Sequence, residues 1–307
     1  MERMIQYERF YITCTSRKKE DRQIYKQFQE RLRRYSLNEE MRLYKVPLLT
    51  EEYQYAHELS LKYSWDWTRD DDREDFPGLY IDEEGMIETE YSEADFQQAA
   101  AYLVNFWYIA YTYDDLCSRE FVDVCCENHS WKYEIGLIQN KGYQLPSAEF
   151  KKKKYASLEI GYAFDQEVVA LLIENGLAKE EDFLPVTNKK KGIVCYQLQP
   201  QNIVRGFAQD NEMVLVDRCS SCGLERYQNE EEPFYISKAT LNQLKGLNRT
   251  KEVYGSYLEL DKVEKRKEMS DGVLEPWYIV NKEVYLLLHK HYPRMQFIPI
   301  FPQKENL

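Results

Sequence analysis

Residues 162–173 read Tyr-Ala-Phe-Asp-Gln-Glu-Val-Val-Ala-Leu-Leu-Ile, and residues 278–289 read Tyr-Ile-Val-Asn-Lys-Glu-Val-Tyr-Leu-Leu-Leu-His. The copies start 116 residues apart, and each leads to an apolar tail with a proline: Phe183-Leu184-Pro185-Val186 and Phe297-Ile298-Pro299-Ile300. A partial third copy lies at Phe234-Tyr235-Ile236-Ser237, followed by Leu241 and Leu244. Asp165 and Asn281 hold the same repeat position, and both residue types cap helix N-termini well. Beyond them Val168, Leu171, Leu172 and Val284, Leu287, Leu288 recur at helical spacing and predict one core-facing stripe each. Proline cannot donate to a central ladder, so the tails read as edge strands. The repeat therefore predicts a strand, a capped helix and an edge strand, used twice. Packing alone explains it, without a functional residue.

Outward from the repeat, residues 151–307 alternate short strands (155–164, 193–198, 213–218 and 224–227) with short helices, the one over 166–175 closed by Gly176. Lys151–Lys154 reads as a linker. Ahead of it Ile24, Phe28 and Leu32 predict a helix over 19–35, and Thr50 caps a second through about Lys62. Pro77-Gly78 marks a turn, with a hairpin expected over Leu79–Ile81 and Met86–Tyr91. Ser92 to Asp95 resembles a capping box and opens a buried helix running to about Tyr111. Glu134–Gln139 and Tyr143–Leu145 flank Asn140-Lys141-Gly142 as a second hairpin. The expected fold class is α+β, with an acidic helix-rich domain over 1–150 and a repeat-containing α+β domain over 151–307.

The chain has 307 residues, a net charge of −12 and 26 tyrosines. Residues 1–150 carry the whole acidic excess, and residues 66–95 hold 13 acids against Arg69 and Arg73 alone. A field of this sign disfavours nucleic acid and favours a basic protein partner. Asp70, Asp71, Asp72, Asp82, Glu83 and Glu84 are the candidate partner-binding residues; a solvated acidic loop is the other reading. No apolar stretch is long enough to span a bilayer, and the N-terminus lacks a signal-peptide pattern. Seven cysteines without disulfide-framework spacing suggest reduced thiols and a cytoplasmic location.

Cys219-Ser220-Ser221-Cys222-Gly223 has the spacing of half a zinc knuckle, which needs two further ligands. Cys125 or Cys126 with His129 is the best completing pair, and Cys195 is another possible donor. The other readings are a redox pair and a metal-free turn. His289 and His291 fall near the last turn of a helix, where they complement its dipole, and His57 lies mid-helix. Glycine-rich phosphate loops, a nucleophile elbow and a His-Glu-x-x-His motif are absent. Asp114-Asp115 and the Glu259, Asp261 pair are ordinary in so acidic a chain.

Tyr196-Gln197-Leu198-Gln199-Pro200, the Cys219–Gly223 knuckle, Tyr235-Ile236-Ser237 and the closing segment from Tyr278 to Ile300 carry a resemblance over about half the chain. They resemble bacterial immunity-like proteins encoded beside polymorphic toxins, including the double-CxxCG group. Those proteins carry the knuckle twice where this chain carries it once. The resemblance implies a non-catalytic cytoplasmic binding protein that neutralises a toxin partner through an acidic, tyrosine-rich surface. The alternatives are an enzyme of unrecognised class with a pocket between the halves, and a scaffold built on a structural zinc.

Overall fold

The structure is a computed structural model. It describes residues 4–38, 42–64, 78–84, 87–105, 120–122, 133–137, 147–157, 161–187, 192–218, 223, 225–228, 232–254 and 275–303. The chain forms two compact units, Met1–Gln97 and Gln98–Leu307.

The axis of the first unit is β1 (Ile5–Cys14), a stretch to which the sequence reading assigned no element. It is followed by α1 (Lys19–Leu32), β2 (Ser36–Asn38), β3 (Leu43–Pro47), α2 (Glu51–Tyr63), β4 (Leu79–Glu83), β5 (Glu88–Glu90) and α3 (Glu93–Gln98). The strands form a sheet in the order β2-β3-β1-β4, with β5 also on β1. Strand alternation sends Phe10 and Ile12 to one face, where Tyr44, Val46, Leu79 and Ile81 join them. Phe28 and Leu32 of α1 and Ala56 of α2 close this core. Thr50 caps α2 as expected, its hydroxyl accepting from the Tyr53 amide at 3.2 Å.

Two expectations fail here. Segments 79–83 and 88–90 are strands but not a hairpin. They lie end to end along β1, pairing with Phe10–Cys14 and Ile5–Tyr7 respectively. The helix from Ser92 stops at Gln98, although the Ser92–Asp95 capping box forms, with bonds of 3.3 and 2.8 Å. Residues 101–104 are instead β6 (Ala101–Val104), wholly buried in the second unit.

The second unit continues with β7 (Glu120–Val122), β8 (Tyr133–Leu137), α4 (Ser147–Lys153), β9 (Tyr155–Ser157), β10 (Tyr162–Phe164), α5 (Gln166–Glu174), β11 (Phe183–Thr187) and β12 (Ile193–Leu198). Next come β13 (Ile203–Val204), α6 (Phe207–Asp210), β14 (Leu215–Arg218), β15 (Glu225–Tyr227), β16 (Phe234–Ile236) and α7 (Lys238–Leu241). Last are β17 (Leu247–Tyr254), β18 (Glu275–Asn281), α8 (Lys282–His291) and β19 (Phe297–Pro302). An eight-stranded sheet runs β14-β15-β17-β18-β6-β19-β16, with β13 on β17, and a four-stranded sheet runs β11-β12-β10-β9. β7 and β8 pair with each other.

The fold class expected from sequence is thus corrected. Helix and strand are mixed along the whole chain, and the N-terminal half is organised by a sheet rather than by helices. The second hairpin expectation falls partly on residues 138–146, outside the described residues. Lys151–Lys153 are no linker: they form the last turn of α4, where positive charge complements the helix dipole.

Both copies of the doubled motif take the same form. β10, α5 and β11 make one unit, and β18, α8 and β19 the other. In each, the two strands run parallel with one antiparallel strand inserted between them. The inserted strand is β12 in the first copy, close in sequence. In the second it is β6, which precedes β18 by about 170 residues. Val168, Val169 and Leu172 of α5 are buried, as are Val284, Tyr285 and Leu288 at the equivalent places in α8. Leu171 and Leu287 are only half-buried. The two leading tyrosines, Tyr162 and Tyr278, meet edge to face with ring centres 5.6 Å apart. Pro185 lies on an edge strand as expected, but Pro299 does not. β19 is flanked by β6 and β16, and the missing amide is tolerated because pairing with β16 begins only at Ile300.

The caps are equivalent as well. Asp165 accepts from the Glu167 amide and Asn281 from the Val284 amide, each at 3.0 Å. Replacing either by alanine is expected to cost about 1 kcal/mol. Urea denaturation of Asp165→Ala, Asn281→Ala and the double variant checks this, and unchanged midpoints would contradict it.

Candidate functional site

Alternation along β1 sends Ile5, Tyr7, Arg9 and Tyr11 to the sheet face opposite α1 and α2. Strand register places Lys45 beside Arg9, Glu88 beside Tyr7, Glu90 beside Ile5 and Asp82 beside Tyr11. The charges interlock. Arg9 pairs with Glu88 and lies 3.8 Å from Glu84, and Lys45 reaches Glu88 and Glu90 at 2.8 Å each. The Lys45 ammonium also sits 4.7 Å from the centre of the Tyr7 ring. Burial, reinforced by Glu90, pushes the Tyr7 hydroxyl above its ordinary pKa. Half-exposed ion pairs each add at most about 1 kcal/mol to stability. Their effect here is to fix a row of long side chains in one arrangement, with Tyr11 (37% exposed) and Ile5 (44%) at its ends.

Glu83 faces the other way, as the register partner of Phe10. Its carboxylate accepts from Tyr53 Oη at 3.2 Å and Ser60 Oγ at 2.8 Å, and His57 Nδ1 lies 2.6 Å away. A carboxylate at that distance fixes the His57 proton on Nδ1. The Tyr53 hydroxyl is raised, first by burial and then by Glu83. The structure thus brings Asp82 and Glu84 to the face opposite α1 and α2 and commits Glu83 to the helix side, while Asp70, Asp71 and Asp72 lie outside the described residues. Sequence reasoning missed Tyr7, Arg9, Tyr11 and Lys45, although Tyr7, Arg9 and Tyr11 alternate along β1 and that signal was available.

Cys219, Cys222, Cys125, Cys126 and His129 also lie outside the described residues. Their frame is partly visible: β14 and β15 pair antiparallel with Arg218 opposite Glu225, and Gly223 is left-handed at φ +69°. Only glycine adopts that conformation without strain, as a Cys-x-x-Cys-Gly turn between strands requires. Cys195 is buried among Phe150, Ala156, Ala163 and Val186. Burial, aided by Asp165, pushes its thiol up to about 12, so it packs as a neutral group. Among the described residues no three His, Cys, Asp or Glu side chains converge as a metal site. His289 and His291 end α8 as expected, with His289 stacked on Tyr285.

A second polar cluster lies where β15 runs beside β17. Tyr227 donates to Glu225 at 2.9 Å and accepts from Gln209 at 2.5 Å, and Arg218 pairs with Glu225. Burial first, then Glu225, pushes the Tyr227 hydroxyl up to about 12. Glu225 is itself held low, since its bonds from Arg218 and Tyr227 outweigh burial. Among the described residues no helix is long and apolar enough to cross a membrane. No protein-family model, curated protein or solved structure matches the chain.

Proposed function

We propose that the protein is a non-catalytic binding protein of the bacterial cytoplasm that masks a basic protein partner, as toxin-neutralising immunity proteins do. The recognition surface is the part of the N-terminal sheet face opposite α1 and α2 that carries Ile5 to Tyr11. The observation that carries this reading is the interlocked row of Tyr7, Arg9, Lys45, Glu88 and Glu90, flanked by exposed Ile5 and Tyr11. A surface whose long side chains are already ordered loses less entropy on binding. Tyrosine and arginine are the residue types that anchor protein interfaces. Asp82, Glu84, Glu88 and Glu90 outnumber Arg9 and Lys45, so the face presents part of the acidic field of residues 66–95 and favours a basic partner.

A structural zinc on Cys219 and Cys222, completed by Cys126 and His129, belongs to the same reading. The left-handed Gly223 between β14 and β15 supports it. The metal would tie the hairpin tip to a distant segment and take no part in recognition.

The test is co-purification of the full chain with the products of its neighbouring genes. One of them is expected to be retained, with affinity falling at least about tenfold for Tyr11→Ala. Retention of none overturns the reading. Retention unchanged by both Tyr11→Ala and Glu90→Lys overturns the choice of surface.

A further inference from the structure

Helix α6 bridges two distant parts of the eight-stranded sheet. On one side Gly206, at its N-terminus, donates its amide to Glu252 of β17 at 2.6 Å, and Gln209 reaches Tyr227 of β15. On the other, the Asn211 side chain grips Tyr235 of β16 like a peptide group. It accepts from the Tyr235 amide at 2.7 Å and donates to its carbonyl at 3.0 Å. Asp210 adds a bond from the Ser237 amide at 2.9 Å, and Gln303 donates to the Asp210 carbonyl. Beneath α6, Phe207 packs against Phe234 of β16 and Trp277 of β18, and Trp277 stacks on Tyr254 of β17. The clasp on Tyr235 therefore depends on how firmly α6 is held at Gly206.

Glu252 is the group that holds it, and its surroundings suit a neutral carboxyl. The residue is 4% exposed. Oε1 takes the Gly206 amide, while Oε2 is buried with no hydrogen-bond partner among the described residues. The parallel register of β15 and β17 puts Glu225 beside Glu252 on the same sheet face, one residue before the Arg226–Val253 pair. Among the described residues, the titratable and charged groups around Glu252 are Glu225 and Tyr227 from β15 and Lys251 and Tyr254 from β17. Arg205 lies at the entry to α6, and Arg218 of β14 is already engaged by Glu225. Burial raises the Glu252 pKa most, and Glu225 adds to it; the amide bonds and Lys251 pull the other way without cancelling the rise.

We propose that Glu252 is a protonation-controlled latch for α6: the neutral carboxyl keeps the seam between β17 and β16 shut, and ionisation loosens it. An ionised Oε2 has no donor among the described residues and must draw in water, which it reaches only if α6 lifts from β17. Lifting α6 strains the Asn211 clasp and uncovers the polar edge of β16. The sign follows from the raised pKa. The folded state holds the proton more tightly, so the seam's stability is full at low pH. It falls as pH rises from the ordinary glutamate range through the raised value, and then levels off.

The test is amide hydrogen exchange on the full chain between pH 5 and pH 8, read as protection factors. In the wild type, protection at Gly206 to Asn211 and at Tyr235 is expected to fall relative to β6 as pH rises through the raised value. Glu252→Gln keeps an oxygen for the Gly206 amide and is expected to abolish that fall. Glu225→Gln leaves Gly206 untouched and is expected to move the fall to lower pH, providing a second readout if Glu252→Gln folds poorly. A wild-type pH profile at α6 that matches β6 overturns the latch. So does a fall that both variants retain unchanged.

Discussion

A fragment starting at residue 151 is expected to have no cooperative unfolding transition, whereas one starting at Gln98 is expected to fold. The shorter fragment also lacks β7, β8 and the first half of α4 with buried Phe150, but its largest loss is the four residues of β6. Ala101, Tyr102, Leu103 and Val104 of β6 run between β18 and β19 and pair with both. Tyr102 also stacks on Tyr285 of α8, with ring centres 3.8 Å apart and planes within 9° of parallel. Its hydroxyl is pushed up to about 12, by burial and then by Tyr285. Burying a side chain of this size contributes about 1.5–3 kcal/mol, so the strand supplies a large fraction of a typical domain's net stability. Without it the eight-stranded sheet is cut in two, and the inner edges of β18 and β19 are left unpaired. Thermal unfolding of the 98–307 and 151–307 fragments, followed by circular dichroism, checks this. Similar sigmoidal transitions for the two would show that β6 is dispensable.

The second large effect is expected at Gly246, in the turn between α7 and β17. A Cβ added there would overlap the Leu177 carbonyl oxygen and lie 2.8 Å from its carbonyl carbon and 3.2 Å from its Cα. The obstacle is backbone, so no rotamer change relieves it. Neither side can retreat freely. Leu177 is bonded to Leu172 at 3.0 Å by the closing turn of α5, and the Gly246 carbonyl takes the Asn281 amide at 3.1 Å. Gly246→Ala is expected to cost roughly 3 kcal/mol, lowering Tm by about 6–12 °C. Gly176 provides the contrast. Its φ of +70° strains any other residue, but nothing lies within 4 Å of the added carbon. Gly176→Ala is expected to cost only about 1–2 kcal/mol. A Gly176 variant less stable than the Gly246 variant would contradict the close approach.

Local features were legible in the sequence where the signal is itself local. The caps at Thr50, Ser92, Asp165 and Asn281, the stop at Gly176 and the stripes of α1, α5 and α8 all depend on residues within a few positions of one another. What was not legible depends on partners far along the chain. Ala99 to Val104 is continuously apolar, and periodicity cannot separate a buried helix from a buried strand in such a run. The outcome at 101–104 is set by β18 and β19. The segments at 79–83 and 88–90 read as strands, but their shared partner β1 is ten residues long and accommodates both. The charged row on the face opposite α1 and α2 was not legible, because along the sequence its acids form only a diffuse field. Register turns Glu83 away from it and pairs Glu84, Glu88 and Glu90 with Arg9 and Lys45.

The inserted strand also sets an order of events during synthesis. The first copy of the repeat takes its middle strand from β12, so all its pairings close within about forty residues and can form as soon as that stretch emerges. The second copy cannot. β6 stays unpaired until β18 (Glu275–Asn281) has been made, and its second partner, β19, follows later still. Throughout that interval Ala-Tyr-Leu-Val is an unpaired apolar strand in a nascent protein, the kind of segment that chaperones bind and that seeds aggregation. The hazardous period in this protein's life is therefore its biosynthesis, and its length scales with the time needed to translate about two hundred codons.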